Sequence, residues 1–243
     1  MRLFGLIGYP LAQSFSKKYF TEKFSNEGIA DAAYELFQLN NISQFPLLLE
    51  SQKYLCGINV TIPYKQEVMV YLNEIDVEAK EIGAVNCIQI ENGKLKGFNT
   101  DAPAFEKSLT AIIRPIHNKA LVLGTGGAAK AVIYVLNQLG INYQFVSRTK
   151  KNGQITYEEL TREIMNDHLL IINCTPLGSF PKTDTCPGIP YEYLTRSHCL
   201  YDLVYNPPLT AFLKYGQERG ATIKNGYDML VGQAELSWQI WND

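Results

Sequence analysis

A glycine-rich run, Gly124-Thr125-Gly126-Gly127-Ala128-Ala129, follows a short apolar stretch and opens a helix-like one. It satisfies G-x-G-x-x-G/A with Ala129 in the last place. Glycines at such a turn let backbone N–H groups approach a pyrophosphate, and a helix N-terminus adds partial positive charge. Gly124, Gly126, Gly127 and Ala128 are therefore candidate contacts for a dinucleotide. The plainer reading is a turn that needs glycine for its backbone alone. The end of the following strand bears on which dinucleotide it would be. NAD binders usually carry Asp or Glu there for the ribose 2′-hydroxyl. This chain has Ser147-Arg148-Thr149-Lys150-Lys151, three cations and no carboxylate. A guanidinium pairs with a 2′-phosphate and stacks on adenine. The run favours NADP(H), with Ser147, Arg148 and Thr149 as its contacts; a solvated basic turn is the alternative.

Four further segments carry polar groups at predicted strand ends or turns. They are residues 8–16 (Gly-Tyr-Pro-Leu-Ala-Gln-Ser-Phe-Ser), 59–65 (Asn-Val-Thr-Ile-Pro-Tyr-Lys), 83–86 (Gly-Ala-Val-Asn) and 97–101 (Gly-Phe-Asn-Thr-Asp). Ligand-contacting residues gather in such places. Together they offer hydroxyls, amides, one amine and one carboxylate, a set suited to a small polyhydroxylated ligand.

The elements that must position these groups alternate between strand and helix along the whole chain, the pattern of an α/β protein with parallel sheets. Strands are predicted at 3–7, 34–39 and 55–62, and helices at 16–27, 65–72 and 77–82, with Ser43 capping a helix that runs to 50. Asn92-Gly93 between 85–90 and 94–98 predicts a hairpin. A helix at 101–113 ends at Arg114-Pro115. Beyond it, strands at 119–123, 143–146, 169–173, 199–203 and 222–224 alternate with helices at 128–139, 157–165 and 210–219. A last helix, 227–241, carries Leu230, Ala234, Trp238 and Trp241 on one side. A boundary near Asp101 divides an N-terminal α/β domain, residues 1–101, from a Rossmann-like domain at 102–225, and the last helix, within 226–243, could return to pack on the first. A cleft between two such domains is the natural meeting place for cofactor and substrate.

Composition narrows the partners. The 243 residues carry 22 basic and 24 acidic side chains, a net charge of −2, which is not the basic footprint of a nucleic-acid binder. Hydrophobic residues make up 46% and charged ones 19%, as in an ordinary globular chain. The apolar runs are too short to span a bilayer, and the first residues enter a strand pattern rather than a secretory signal. Cys56, Cys87, Cys174, Cys186 and Cys199 are scattered and show no C-x-x-C spacing. That argues against disulfides and zinc and fits the cytosol. His117, His168 and His198 are too dispersed to suggest a metal or catalytic centre. We expect a cytoplasmic protein, monomer or homodimer, acting on a small molecule without nucleic acid, membrane or metal.

Taken in order along nearly the whole chain, these segments resemble the shikimate dehydrogenases. The resemblance extends to Asn173-Cys174-Thr175-Pro176-Leu177-Gly178, Tyr201-Asp202-Leu203-Val204-Tyr205 and residues 225–234 (Asn-Gly-Tyr-Asp-Met-Leu-Val-Gly-Gln-Ala). It implies a substrate domain beside an NADP domain, the C-terminal helix returning to the first. The reaction implied is the reversible NADPH-dependent reduction of 3-dehydroshikimate to shikimate, with Lys65 and Asp101 as the catalytic pair. Ser14, Ser16, Thr61, Asn86, Tyr205 and Gln233 would contact the substrate, and Leu203 and Gly226 would lie near the nicotinamide. The chain departs from the family pattern at Gln13, where His is usual, and at Lys17, where Pro is usual. Competing readings are a broader quinate/shikimate dehydrogenase, a non-catalytic ligand-binding relative, and a methylene-tetrahydrofolate dehydrogenase. The serine pair and Asn99-Thr100-Asp101 favour the first assignment over the last.

Overall fold

The computed structural model describes residues 1–11, 14–150 and 153–243. Gln13 and Lys151, singled out above, lie outside the described residues. The chain divides into two compact units, Met1–Thr100 with Gln233–Asp243, and Asp101–Gly232.

The first unit is built on a six-stranded sheet in the order β2-β1-β3-β5-β6-β4. Its strands are β1 (Arg2–Gly8), β2 (Ala32–Gln38), β3 (Leu55–Val60), β4 (Glu74–Ile75), β5 (Cys87–Glu91) and β6 (Lys94–Phe98). β1 runs parallel to β2 and β3, whereas β5 is antiparallel to both β3 and β6. The antiparallel turn is set by Asn92 (φ 50°) and Gly93 (φ 75°), which adopt the positive φ that a tight hairpin demands. Helices α1 (Phe15–Asn26), α2 (Phe45–Ser51) and α3 (Val77–Ile82) complete this part. Asn41, not the expected Ser43, opens the α2 region. Its side chain accepts from Ser43 N in a capping box with Gln44, giving a 3₁₀ turn at Ile42–Gln44 before α2. The helix expected at 65–72 is a 3₁₀ segment, Glu67–Tyr71.

The second unit holds a six-stranded, wholly parallel sheet in the order β12-β11-β10-β7-β8-β9. Its strands are β7 (Lys119–Leu123), β8 (Asn142–Ser147), β9 (Gln154–Thr156), β10 (Leu170–Asn173), β11 (Cys199–Asp202) and β12 (Thr222–Lys224). Helices α4 (Asp101–Thr110), α5 (Gly127–Gln138), α6 (Arg162–Asp167) and α7 (Ala211–Glu218) belong to it. The strand order reverses direction between β7 and β10, and ligands of open α/β sheets bind beyond the strand ends at such a switch point. The continuous helix expected at 157–165 is broken. Thr156 and Glu159 close a 3₁₀ turn at Tyr157–Glu159, and Thr161 then caps α6 through Ile164 N.

The last helix, α8 (Tyr227–Asn242), starts in the second unit and ends in the first. In the first unit Trp241 stacks on Phe4 with centroids 4.9 Å apart, and its indole N–H donates to Ile88 O at 3.0 Å. Gly57 admits that ring, since a Cβ there would lie 2.4 Å from Trp241 Nε1. Among the described residues no helix is long and apolar enough to cross a membrane. None of the His, Cys, Asp and Glu side chains described cluster as a metal site, and all five cysteines are free.

Candidate active site

In the first unit the polar residues converge on the C-terminal ends of β1 and β3. Gly8 ends β1, and a Cβ there would lie 2.4 Å from Thr61 Cγ2, so glycine is what lets the segment after β3 lie this close. Thr61 N donates to Ile7 O at 2.9 Å, which fixes its place. Ser14 caps α1, its hydroxyl accepting from Lys17 N at 3.5 Å. A proline at position 17, usual in the resembling family, would have no N–H to offer. Lys17 instead supplies one, and its ammonium pairs with Glu35 at 2.6 Å.

Beneath these lies a buried polar network. The Ser16 hydroxyl lies beside the phenol of Tyr34 and favours its anion. Tyr34 donates to Asn59 Oδ1 at 2.8 Å, and Asn59 Nδ2 donates to Ser237 Oγ at 2.8 Å. Ser237 in turn donates to Gln233 O at 2.8 Å and stands 3.3 Å from Thr100 Oγ1. Asn86 donates to Thr100 Oγ1 at 2.9 Å and accepts from Thr100 N at 2.7 Å. Tyr34, Asn59, Asn86, Thr100 and Ser237 are all buried. Burial pushes the Tyr34 phenol well above its ordinary pKa, so it is a neutral donor. The network takes in Asn86 by its side chain and Gln233 by its backbone carbonyl, two of the expected substrate residues, with Ser16 at its edge. Lys65, half-buried, is tied through its carbonyl, which accepts from Val85 N at 2.8 Å one residue before Asn86.

Tyr34, Asn59, Thr100 and Ser237 were not among the candidate residues. Asn59 and Thr100 lay inside quoted motifs. Tyr34 and Ser237 carry no local signal: one sits inside an ordinary strand, the other in the last helix.

In the second unit, Asp101 is buried at the first turn of α4. At the end of β7, Gly124 takes φ +96°, and a Cβ on it would reach 2.9 Å from Thr175 Cγ2. Gly126 is the N-cap of α5 and provides no side-chain cap. A Cβ on Gly126 or Gly127 would meet nothing within 4 Å. Protein packing therefore explains the glycine at 124 but not those at 126 and 127, which leave open room over the N-terminus of α5. This cradle fits a pyrophosphate. β8 ends at Ser147, whose hydroxyl lies 2.6 Å from Thr149 O and 3.0 Å from Gln154 Oε1. Lys150 is engaged by Glu159. Arg148 is exposed, and among the described residues no carboxylate pairs with it. The expected three-cation run thus reduces, among described residues, to one uncommitted guanidinium.

Beyond β10 and β11 the chain is held closely. Leu203 N donates to Asn173 O at 3.0 Å, and Gly226 N donates to Val204 O at 3.2 Å. A Cβ on Gly226 would fall 2.2 Å from Leu203 O, so only glycine allows this approach. Leu203 and Gly226, expected near one ligand ring, are brought together. Burial raises the phenol pKa of Tyr205 nearby. Asp202, at the end of β11, is wholly buried and its pKa is raised to about 6 by that burial, against hydrogen bonds from Thr210, Val204 N and Asn173 that favour the anion. His117 and His198 each use both ring nitrogens on local groups, including Ser197 O and Met165 O, and serve the structure. A cavity of about 740 Å³ in the first unit is lined by Arg2, Asp31, Tyr54 and Cys56, at the opposite strand ends, and shares none of the candidate residues.

Residues 6–88 match the family described as the shikimate dehydrogenase substrate binding domain. A protein of Clostridium beijerinckii named shikimate dehydrogenase (NADP(+)) is 42% identical, over 100% of this chain and 93% of its own length. The crystal structure of shikimate dehydrogenase from Aquifex aeolicus is 33% identical with a TM-score of 0.88, covering 100% of this chain and 92% of that one. The structure of shikimate 5-dehydrogenase from Thermus thermophilus in complex with NADP(H) and shikimate is 30% identical with a TM-score of 0.87, covering 99% and 93%.

Proposed function

The chain belongs to the shikimate dehydrogenase family, and on that premise we propose that it catalyses 3-dehydroshikimate + NADPH + H⁺ ⇌ shikimate + NADP⁺, a step of aromatic amino-acid biosynthesis. The observation that carries this reading is the 42% identity over the whole chain to an NADP(+)-dependent member. The open cradle at Gly126 and Gly127 and the uncommitted Arg148 support the cofactor. When bound, NADP(H) gives or takes the hydride.

The chain's own residues have three tasks. The first is to hold the cofactor: the amides at the start of α5 take the pyrophosphate, and Arg148, with Ser147 and Thr149, takes the 2′-phosphate. The second is to hold the substrate's hydroxyls and carboxylate. We assign this to Ser14, Ser16, Thr61, Asn86, Tyr205 and Gln233. Asn86 spends one of its two side-chain N–H groups on Thr100, which leaves the other for a ligand. The third is to move a proton. In the reducing direction the Lys65 ammonium donates to the ketone oxygen and stabilises the charge that develops there. In the oxidising direction the neutral Lys65 amine takes the proton from the substrate hydroxyl as the hydride leaves its carbon, and Asp101, its proposed catalytic partner, accepts a hydrogen bond from a substrate hydroxyl.

The domain roles follow: a substrate domain of residues 1–101 with 226–243, and an NADP domain of 102–225. We place the enzyme in the cytoplasm, as a monomer or homodimer, where free cysteines persist. Replacing Lys65 by Ala tests the assignment. Turnover of shikimate should fall about a thousandfold, while NADPH fluorescence titration gives an unchanged dissociation constant. Near-normal turnover in Lys65→Ala would remove Lys65 from the chemistry.

A further inference from the structure

One buried group in the second unit is left without a task by this mechanism. Asp202, Asn173 and Thr210 are all 0% exposed. Asp202 Oδ1 accepts from Asn173 Nδ2 at 2.9 Å and from Val204 N at 3.0 Å, and Oδ2 accepts from the Thr210 hydroxyl at 2.6 Å. Among the described residues no basic side chain pairs with it. We infer that Asp202 is a positioning residue: its carboxylate locks the loops that leave β10 and β11, and so sets where Leu203, Tyr205 and Gly226 stand against the cofactor. This rests on the reading of those three residues proposed above.

Each bond reaches a different part of the site. Through Asn173 the carboxylate holds the loop after β10. Asn173 Oδ1 accepts from Thr175 N at 3.0 Å and from Thr175 Oγ1 at 2.6 Å, and Thr175 is the residue packed against Gly124. Through Val204 N it holds the turn after β11, on whose carbonyl Gly226 rests. Through Thr210, the cap of α7, it fixes the far end of the connection that contains Tyr205. Asn206 O, in that same connection, accepts from Phe180 N at 3.1 Å and ties it again to the segment after β10. One side chain thus spans the two connections that leave β10 and β11, the first of them at the point where the sheet order reverses.

The residue type sharpens the point. An ionised carboxylate buried without a cation costs stability that an apolar or amide residue would spare. What the carboxylate adds is acceptor strength, since hydrogen bonds to an anion are shorter and stronger than neutral ones. Rigid loops benefit from that, because a small displacement of a positioned group costs turnover steeply.

The test compares wild type with Asp202→Ala, Asp202→Asn and Thr210→Val by three readouts. In the cofactor-free protein, amide hydrogen exchange at residues 203–206 should quicken about tenfold in Asp202→Ala, with the β7 and β8 amides unchanged. Its kcat should fall about a hundredfold, whereas the NADPH dissociation constant, set mainly at α5 and Arg148, should move less than about threefold. Asp202→Asn keeps the shape but turns an N–H toward the Thr210 hydroxyl, and should recover only part of both losses. If Asp202→Ala does not fold, Thr210→Val, which removes one bond only, should show the same pattern more weakly. Unchanged exchange at 203–206, or exchange quickened equally across the whole sheet, would overturn the inference. A wild type inactive with shikimate and NADP⁺ would strike the proposed function instead, and the exchange data would still decide whether the carboxylate locks the loops.

Discussion

Arg148 and Lys150 stand two residues apart in one basic turn and are used differently. Lys150 is bound by Glu159, which also caps the 3₁₀ turn after β9, so its charge is spent within the protein. Among the described residues Arg148 has no such partner, and its planar fork suits a phosphate dianion. Truncating Arg148 to Ala should weaken NADP⁺ binding by about ten- to a hundredfold, the worth of a charge-assisted contact. NAD⁺, which lacks the 2′-phosphate, should lose less than about threefold. Calorimetric titration of both cofactors checks this; equal losses would show that Arg148 does not read the phosphate. The serines show the reverse lesson. Ser14 looks like a ligand residue by its motif, yet its hydroxyl also caps α1. Replacing Ser14 therefore removes a structural bond together with any substrate contact, whereas Ser16 sits beside the Tyr34 phenol and caps nothing.

Among the elements, the strand–loop–helix of β7 and α5 shows how packing and ligand demands separate glycine from glycine. Gly124 and Gly226 are required by the protein itself, through positive φ or close contact. Gly126, with φ −76° and open space at its Cβ, is not. Gly126→Ala should therefore melt within about 1–2 °C of wild type, since it adds neither strain nor clash. It should nevertheless weaken NADPH binding by about tenfold by filling the cradle. A clear loss of stability with unaltered binding would mean that the turn is glycine for its backbone alone. This unit was legible in the sequence because its signals are local: an apolar run, glycines, then a helical period. The hairpin at Asn92-Gly93 was legible for the same reason. The short strands β4 and β9 were not, because two or three residues become a strand only through the partner they meet. The break inside 157–165 was written in Thr156, Glu159 and Thr161 as capping residues, but the apolar period of Tyr157, Leu160 and Ile164 obscured it. Least legible was the network of Tyr34, Asn59, Thr100 and Ser237. Its bonds join positions 25 to 178 residues apart, and no local pattern encodes such a pairing.

At the scale of the molecule, each compact unit is organised around its own sheet, and the candidate residues lie at the strand ends of both. The first unit gathers hydroxyls and amides over a satisfied polar network; the second offers an uncapped helix start, a guanidinium and tightly packed loops. The relative from Clostridium beijerinckii is matched over 93% of its length. The most direct measurement is steady-state turnover of the purified wild-type protein, followed at the NADPH absorbance band. Shikimate and quinate are each supplied with NADP⁺ or NAD⁺. The account predicts turnover with shikimate and NADP⁺, with kcat/KM at least about tenfold higher than with NAD⁺. Absence of NADPH formation from shikimate at saturating NADP⁺, by a protein shown to be folded, would contradict it.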